Sequence, residues 1–502
     1  MNVGRIVDLG VVVVYLLGIL SIGARFLRRT KTTSGFTVGS RTIPAWAIGI
    51  SVLAVFVSSI SFVGNAGKAF SDNWAPFLFA LTVVIVAAAA ARWFVPLYRS
   101  FRDVSAYALL ERRFGYWARA FGSSSFQVIQ LARIGVILYL LSLVVAPVLE
   151  VPSATVILVV GVLVVVYTML GGIEGVIWTD VIQVFVMFGG AVWCLITIFW
   201  LMPGGALQVF ELAWKAGGKF DLGEYSMRWE NQTFLGVLLF GILANLQNFG
   251  ADQNYVQRYH AAKSEADAKR AVLIGAFPFV PVTALFLMIG TSLFSFYRVY
   301  PELLPSHIRG DAVFPYFIST RLPAGVRGLL VASILAAAMS AISSSLNCVA
   351  TVFLKDFYCR LWRQCSTEKE QVRVLRVLTA LCGGLGMGVS FLMVGAKSGL
   401  DLFWEISAVA GSTLLGLFML AILRREVNQS VVRVATGGAI VFLTWAVLSR
   451  EFHSLPLRLQ LDPLLAGAGA TIVLVTSTLV VSRLLTGRSG VGPISVRRGS
   501  SA

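Results

Sequence analysis

The stretch AAAMSAISSSLNCVAT, residues 336–351, places Ser340, Ser343, Ser344 and Asn347 at spacings of three and four inside an apolar run. On a helix these positions share one face. Ala336, Ala337 and Ala341 keep that face small, so other backbones can approach it closely. A tight group of oxygens is what a small hard cation takes as ligands. The bland alternative is that these serines bond back to carbonyls one turn earlier or hold helices together. Asp180, in YTMLGGIEGVIWTDVIQVFVMFGG, puts a carboxylate into another apolar run. A charge at membrane depth costs about 2.5–3.5 kcal/mol on insertion scales, so Asp180 needs a cation or a proton. Arg133, in FQVIQLARIGVILYLL, is the other deep charge. The bland alternative is that it simply pairs with Asp180.

The chain that must position these groups has 502 residues, 57% hydrophobic and 13% charged. Soluble domains are about 25% charged. A bilayer core about 30 Å thick needs roughly 20 apolar residues per helix. Thirteen such segments are expected, near 6–26, 43–68, 74–98, 118–149, 153–171, 175–202, 233–257, 268–297, 324–354, 372–396, 399–423, 430–449 and 463–485. The fold class is therefore an all-α polytopic membrane protein. The short alternating strands of a barrel do not appear in the sequence.

Two segments are interrupted. One turns polar and glycine-rich around Ser58, Ser59, Ser61, Gly64, Asn65 and Gly67; the other breaks at Asn245, Gln247, Asn248, Gly250 and Asp252. Irregular backbone survives at membrane depth only where it lines protein or water. Two interrupted helices, five segments apart, point to a binding site between the halves of an inverted repeat. Packing through small residues is the alternative. The expected organisation is one transmembrane domain over 1–490, core repeats at about 43–202 and 233–423, and a cytoplasmic tail at 491–502.

The net charge of +17 reads as membrane orientation, not nucleic-acid binding. Basic residues gather at 25–42, at 99–113, after the seventh segment (Arg258, Lys263, Lys269, Arg270), after the ninth, and in the tail. They fall on one side if the N-terminus lies outside and the C-terminus in the cytoplasm, in a multi-pass protein of the inner cell membrane. The partners expected are a small solute and membrane lipid, with no obligate protein partner evident. The five cysteines show no zinc spacing and argue against disulfides; His260, His307 and His453 are expected in loops, so no buried catalytic histidine is foreseen and the chain does not read as an enzyme.

Four stretches carry a resemblance: GSRTIPAWAIGISVLAVFVSSISFVGNAGKAF, YTMLGGIEGVIWTDVIQ, NFGADQNYVQRYHAAKSEADAKRA and GLLVASILAAAMSAISSSLNCVATVFLKDFY. Together they resemble the sodium:solute symporters, which include sodium–glucose, proline, iodide and sialic acid transporters, over about residues 5–485. The resemblance implies the fold of the bacterial leucine transporter, a five-plus-five inverted repeat with one leading and two trailing helices. It implies sodium-coupled symport of a small organic solute by alternating access. The common sodium site of the family would fall on carbonyls of Ala54, Val57 and Ala337 and the hydroxyl of Ser340. Its second hydroxyl position is Ala341 here, which removes a ligand. A second sodium site found in some members would fall on Asp180, Ser340, Ser343 and Ser344. The solute would meet Phe56, Ser58, Ser61, Asn245, Asn248 and Phe249, with Arg133 nearby. The glutamine and the gate aromatic of the sugar transporters are replaced by Ser61 and Asn248, which argues against a sugar. An arginine in the Arg133 region meets the carboxylate in sialic acid transporters, so the resemblance implies an organic anion. A proton on Asp180, an uncoupled leak and a transporter-like sensor are the competing readings.

Overall fold

Backbone amides find no water in a bilayer, so spanning segments satisfy themselves within helices. A computed structural model of the chain describes residues 3–101, 103–225, 233–362, 367–393, 399–423, 427–451 and 463–486. Among these residues there is no strand, only the isolated bridges Ile43–Ala262 and Glu224–Thr233. Among the described residues ten helices are long and apolar enough to cross a bilayer, or eleven when one bent pair is counted as a span. Two of the expected thirteen segments are joined in one run, Ser153–Leu201, and the expected 399–423 contributes a shorter apolar stretch, Ala410–Ile422. The expected tail at 491–502 lies outside the described residues.

The 49 residues of Ser153–Leu201 exceed the roughly 20 that a bilayer needs. The run is two helices joined at Gly172, with φ +53° and ψ −158°. A Cβ there would sit 3.0 Å from the backbone of Phe36, so both the dihedral and the space demand glycine. The second half of this bent run carries Asp180 and packs along the serine-bearing helix Val326–Phe353. The leading helix Val3–Arg25 packs against both. Its buried Asp8 accepts from the amides of Gly325 (2.8 Å) and Gly328 (2.9 Å) and from Arg327 Nε (2.6 Å). A carboxylate from another helix thus satisfies amides at the N-terminus of the serine helix.

Both interrupted segments are broken. The first comprises Ala45–Phe56 and Ser59–Ser71, with a bend of 52°. The second comprises Phe234–Ala251 and Gln253–Ala261, separated by Asp252. The bridge Ile43–Ala262 brings the start of the first beside the end of the second. At the breaks, the Phe56 ring meets Phe249 at 5.5 Å and Tyr255 at 5.1 Å. The two broken helices therefore run in opposite directions past a shared midpoint, as an inverted repeat requires.

A polar cluster ties Leu354–Trp362 to the start of Tyr116–Leu149. Arg119 pairs with Asp356, with Glu111 at 2.8 Å and with Asp103 at 3.1 Å, while Ser105 and Ser123 donate to Asp356. Cys194, Cys348 and Cys382 are free, but Cys359 in this region is disulfide-bonded, which corrects the expectation for that residue.

Close helix contacts rest on small residues. A Cβ on Gly290 would lie 2.0 Å from the Ala66 carbonyl oxygen of the first broken helix, whereas Gly189 has nothing within 4 Å. Overpacking costs about 1–3 kcal/mol, while alanine gains up to about 1 kcal/mol over glycine in a helix. Gly290→Ala is expected to lower apparent thermal stability in detergent and Gly189→Ala to hold or raise it. Equal melting of the two variants would contradict this packing.

Candidate cation and substrate site

Asp180 is fully buried. Its Oδ2 accepts from Ser51 Oγ and, at 3.0 Å, from Arg258 Nη2. Arg258 is also fully buried, and its fork is spread over four acceptors. Nε donates to Ser51 Oγ at 2.8 Å, Nη1 to the Asn254 carbonyl at 2.8 Å, and Nη2 also to Ser344 Oγ at 2.7 Å. The other carboxylate oxygen of Asp180, Oδ1, is buried and has no hydrogen-bond partner. Asp180 thus has its cation, but the cation is Arg258 and not Arg133. This corrects both the alternative pairing with Arg133 and the placing of Arg258 among the loop charges.

Arg258 becomes buried because Gln253–Ala261 continues the broken helix into the protein. Asp252 caps it, accepting from the Asn254 amide at 2.7 Å. Polar side chains along this short helix find partners on its neighbours. Gln257 Nε2 donates to the Thr37 carbonyl at 2.6 Å and to Asn347 Oδ1 at 2.7 Å. The Tyr259 hydroxyl donates to the Phe249 carbonyl at 2.8 Å. His260 lies on this helix and is buried, with Nε2 lacking a partner, so it is not a loop histidine.

The hydroxyl face behaves partly as the bland alternative foresaw. Ser340 Oγ donates to the Ala337 carbonyl and Ser343 Oγ to the Ser340 carbonyl, each at 3.1 Å. A hydroxyl that gives its proton backwards keeps its lone pairs, so these oxygens remain potential ligands. Ser344 accepts from Arg258, and Ser345 donates to Gln130 Oε1 at 2.7 Å. On the first broken helix, Val57 turns extended (φ −95°, ψ 116°), which ends the helix at Phe56. The last carbonyls of a helix lose their intrahelical donors, and Ala54 lies in that terminal turn with Val57 just after it. Both are buried, as are Ala337 and Ala341.

The expected solute positions divide. Phe56, Phe249, Tyr255 and Phe279 form an aromatic group at the breaks, with Phe56 centred 5.1 Å from Phe279. Ser58 is buried and Ser61 Oγ donates to the Phe56 carbonyl at 3.3 Å. Arg133 is half-buried and uses Nη2 on the Val55 carbonyl at 2.9 Å. Asn245 is turned away, bonded to Thr82 Oγ1 at 3.0 Å and to the Gly241 carbonyl at 2.8 Å. Asn248 donates to Asn245 Oδ1 at 3.2 Å. Arg258 and Ser51 were missed in the sequence. The signal available for Arg258 was its position four residues after Asn254, on a short polar run directly after a helix break.

A family model described as the sodium:solute symporter family matches residues 36–435. The chain belongs to that family. It is a sodium-coupled secondary transporter of a small solute, not an enzyme, and it resides in a membrane as a multi-pass protein. It is 34% identical over 434 residues to a sodium/sialic acid symporter of Aliivibrio fischeri, covering 86% of each chain. It is 33% identical over 443 residues to a sodium/sialic acid symporter of Proteus mirabilis, covering 88% of each. A solved sodium-coupled sialic acid symporter, substrate-bound and outward-open, aligns with a TM-score of 0.88 at 30% identity, covering 95% of this chain and 98% of that one. The nucleobase-cation symporter Mhp1, in a closed conformation, shares the fold at a TM-score of 0.56 and 14% identity.

Ser51 and Ser344 both contact the Arg258 guanidinium, so they act as one network. A double-mutant cycle on thermal stability in potassium buffer is expected to give Ser51→Ala and Ser344→Ala a coupling of about 0.5–3 kcal/mol. Ser51→Ala and Thr197→Ala, in which Thr197 bonds only to Trp193 on its own helix, should add. Additivity in the first pair would contradict the shared network.

Proposed function

We propose that this symporter carries a carboxylate of the sialic-acid type together with sodium. The observation that carries the reading is the place of Arg133. Its guanidinium reaches the first helix break and uses one nitrogen on the Val55 carbonyl. A guanidinium has five N–H donors, so most of the fork remains for a carboxylate. The adjoining helix Ser59–Ser71 begins at Ser58, which makes no side-chain cap. Its free amides and positive dipole end favour an anion. At the second break the equivalent end is already capped by Asp252. The two sialic acid symporters among the relatives support the solute class. A plain monocarboxylate is the second reading, favoured by 25% identity to human sodium-coupled monocarboxylate transporter 1 over 86% of this chain.

Sodium is assigned to Asp180 Oδ1 with the hydroxyls of Ser340, Ser343 and Ser344. The Ala54, Val57, Ala337 and Ser340 set is the weaker of the two, since Ala341 supplies no oxygen. Phe56, Ser58, Ser61, Asn248 and Phe249 are assigned to the solute side. Asn245, whose amide is spent on Thr82 and Gly241, supports that side by holding Asn248. One domain spans 1–490, in the inner membrane, with the N-terminus outside and the C-terminus cytoplasmic. Sodium moving inward then gains about 2.3 kcal/mol per charge per 100 mV of potential.

Purified protein is expected to melt higher with sialic acid in sodium than in potassium, since a ligand of the folded state raises apparent stability. Asp180→Ala should abolish the sodium-dependent part of this stabilisation, and Arg133→Ala should weaken sialic acid binding at least about tenfold, near 1.4 kcal/mol. Stabilisation by a short monocarboxylate but not by sialic acid would select the second reading. Equal effects in both salts would refute sodium coupling. A reporter fused after Thr486 is expected to report from the cytoplasm; a periplasmic signal would reverse the topology.

A further inference from the structure

Arg258 is fully buried among apolar helices, where a guanidinium is tolerated only when its donors are met. Its acceptors come from three other helices: Ser51 on Ala45–Phe56, Asp180 on Ser153–Leu201, and Ser344 on Val326–Phe353. Two of them, Asp180 and Ser344, belong to the sodium ligands proposed above, and the inference rests on that reading. Arg258 takes Oδ2 of Asp180, while Oδ1 of the same carboxylate is buried without a partner. A sodium ion on Oδ1 would share a single negative charge with the guanidinium on Oδ2 and would draw on the Ser344 oxygen that Arg258 Nη2 already holds.

We propose that Arg258 is the protein's own competing cation, which sets the affinity of the Asp180 site for sodium. With sodium away, the guanidinium neutralises Asp180 and keeps the unloaded site from holding an unpaired buried charge. With sodium present, the two cations oppose each other across one carboxylate, and sodium binds more weakly than Asp180 alone would hold it. By linkage the opposition is reciprocal: sodium loosens the Arg258 contact by as much as Arg258 weakens sodium. A purely structural role for Arg258 predicts the opposite sign, because losing a positioning contact would scatter the ligands and weaken sodium.

The test is a sodium titration of the full-length protein in detergent, read as thermal stabilisation against potassium at constant ionic strength. Arg258→Gln is expected to bind sodium at least about tenfold more tightly than wild type, near 1.4 kcal/mol, and to gain more stability from sodium than wild type does. Arg258→Lys keeps the charge and should stay within about threefold of wild type. Asp180→Asn should lose the saturable sodium response in either background. Weaker or unchanged sodium binding in Arg258→Gln, with the response lost in Asp180→Asn, overturns the competition and leaves the cation site standing. A wild-type response in Asp180→Asn overturns the cation site and the competition together. An Arg258→Gln protein that is unfolded in both salts also counts against competition, since a bound sodium should replace the guanidinium as the partner of Asp180.

Discussion

One carboxylate and one guanidinium, both out of reach of solvent, set the terms for the core. Desolvating the two charges costs several kcal/mol per ion, and their attraction repays this only when the remaining donors and acceptors are met. Arg258 meets the condition through Ser51, Ser344 and the Asn254 carbonyl as well as Asp180. Each acceptor comes from a different stretch of chain. The pair can therefore exist only if the first broken helix, the bent run and the serine helix converge on the short helix after Asp252. The convergence in turn needs small residues. Gly49 and Gly275, where Ala45–Phe56 meets Glu265–Ala276, would place a Cβ within 3.0 Å of a neighbour.

The breaks obey the same rule of satisfaction. Ending a helix at membrane depth frees carbonyls that have no water to turn to. Side chains from outside the broken helices supply the donors: Arg133 on Val55 and Tyr98 on Gly250. Ser61 and Tyr259 do the same from within, on Phe56 and Phe249. The irregular backbone is thus held open by named hydrogen bonds and lined by the rings of Phe56, Phe249 and Tyr255.

Much of this is legible in the sequence. Hydropathy located the spans, because a bilayer imposes length and apolarity residue by residue. The clusters around Ser58 and Asn248 marked both breaks, because glycines and polar side chains are expensive inside an apolar helix. The serine spacing and Asp180 marked a polar face for the same reason. The partner of Asp180 was not legible. Arg258 sits in QNYVQRYHA, which is too polar to read as membrane-embedded, and it lies only five residues before Lys263. Its burial depends on acceptors from helices roughly 80 to 200 positions away. No local property of the segment encodes that. Gly172 was half legible: the expected segments 153–171 and 175–202 left a gap around it, but not the positive φ that demands glycine there.

The division of labour between the two polar regions follows from which end of each half-helix is left free. Ala45–Phe56 presents its carbonyl end, with Ala54 in its last turn and Val57 just after it, and it packs against the serine helix, whose Ser340 and Ser343 give their protons to the Ala337 and Ser340 carbonyls. That side is rich in acceptors and suits a cation. Ser59–Ser71 presents its uncapped amide end a few residues along the chain, beside a guanidinium with donors to spare. That side is rich in donors and suits an anion. A single break therefore separates acceptors from donors by one turn of chain. On the reading proposed above, a cation at the weaker site and a carboxylate at Arg133 would each complete the half of the break that the other cannot, a physical route for one to favour the other.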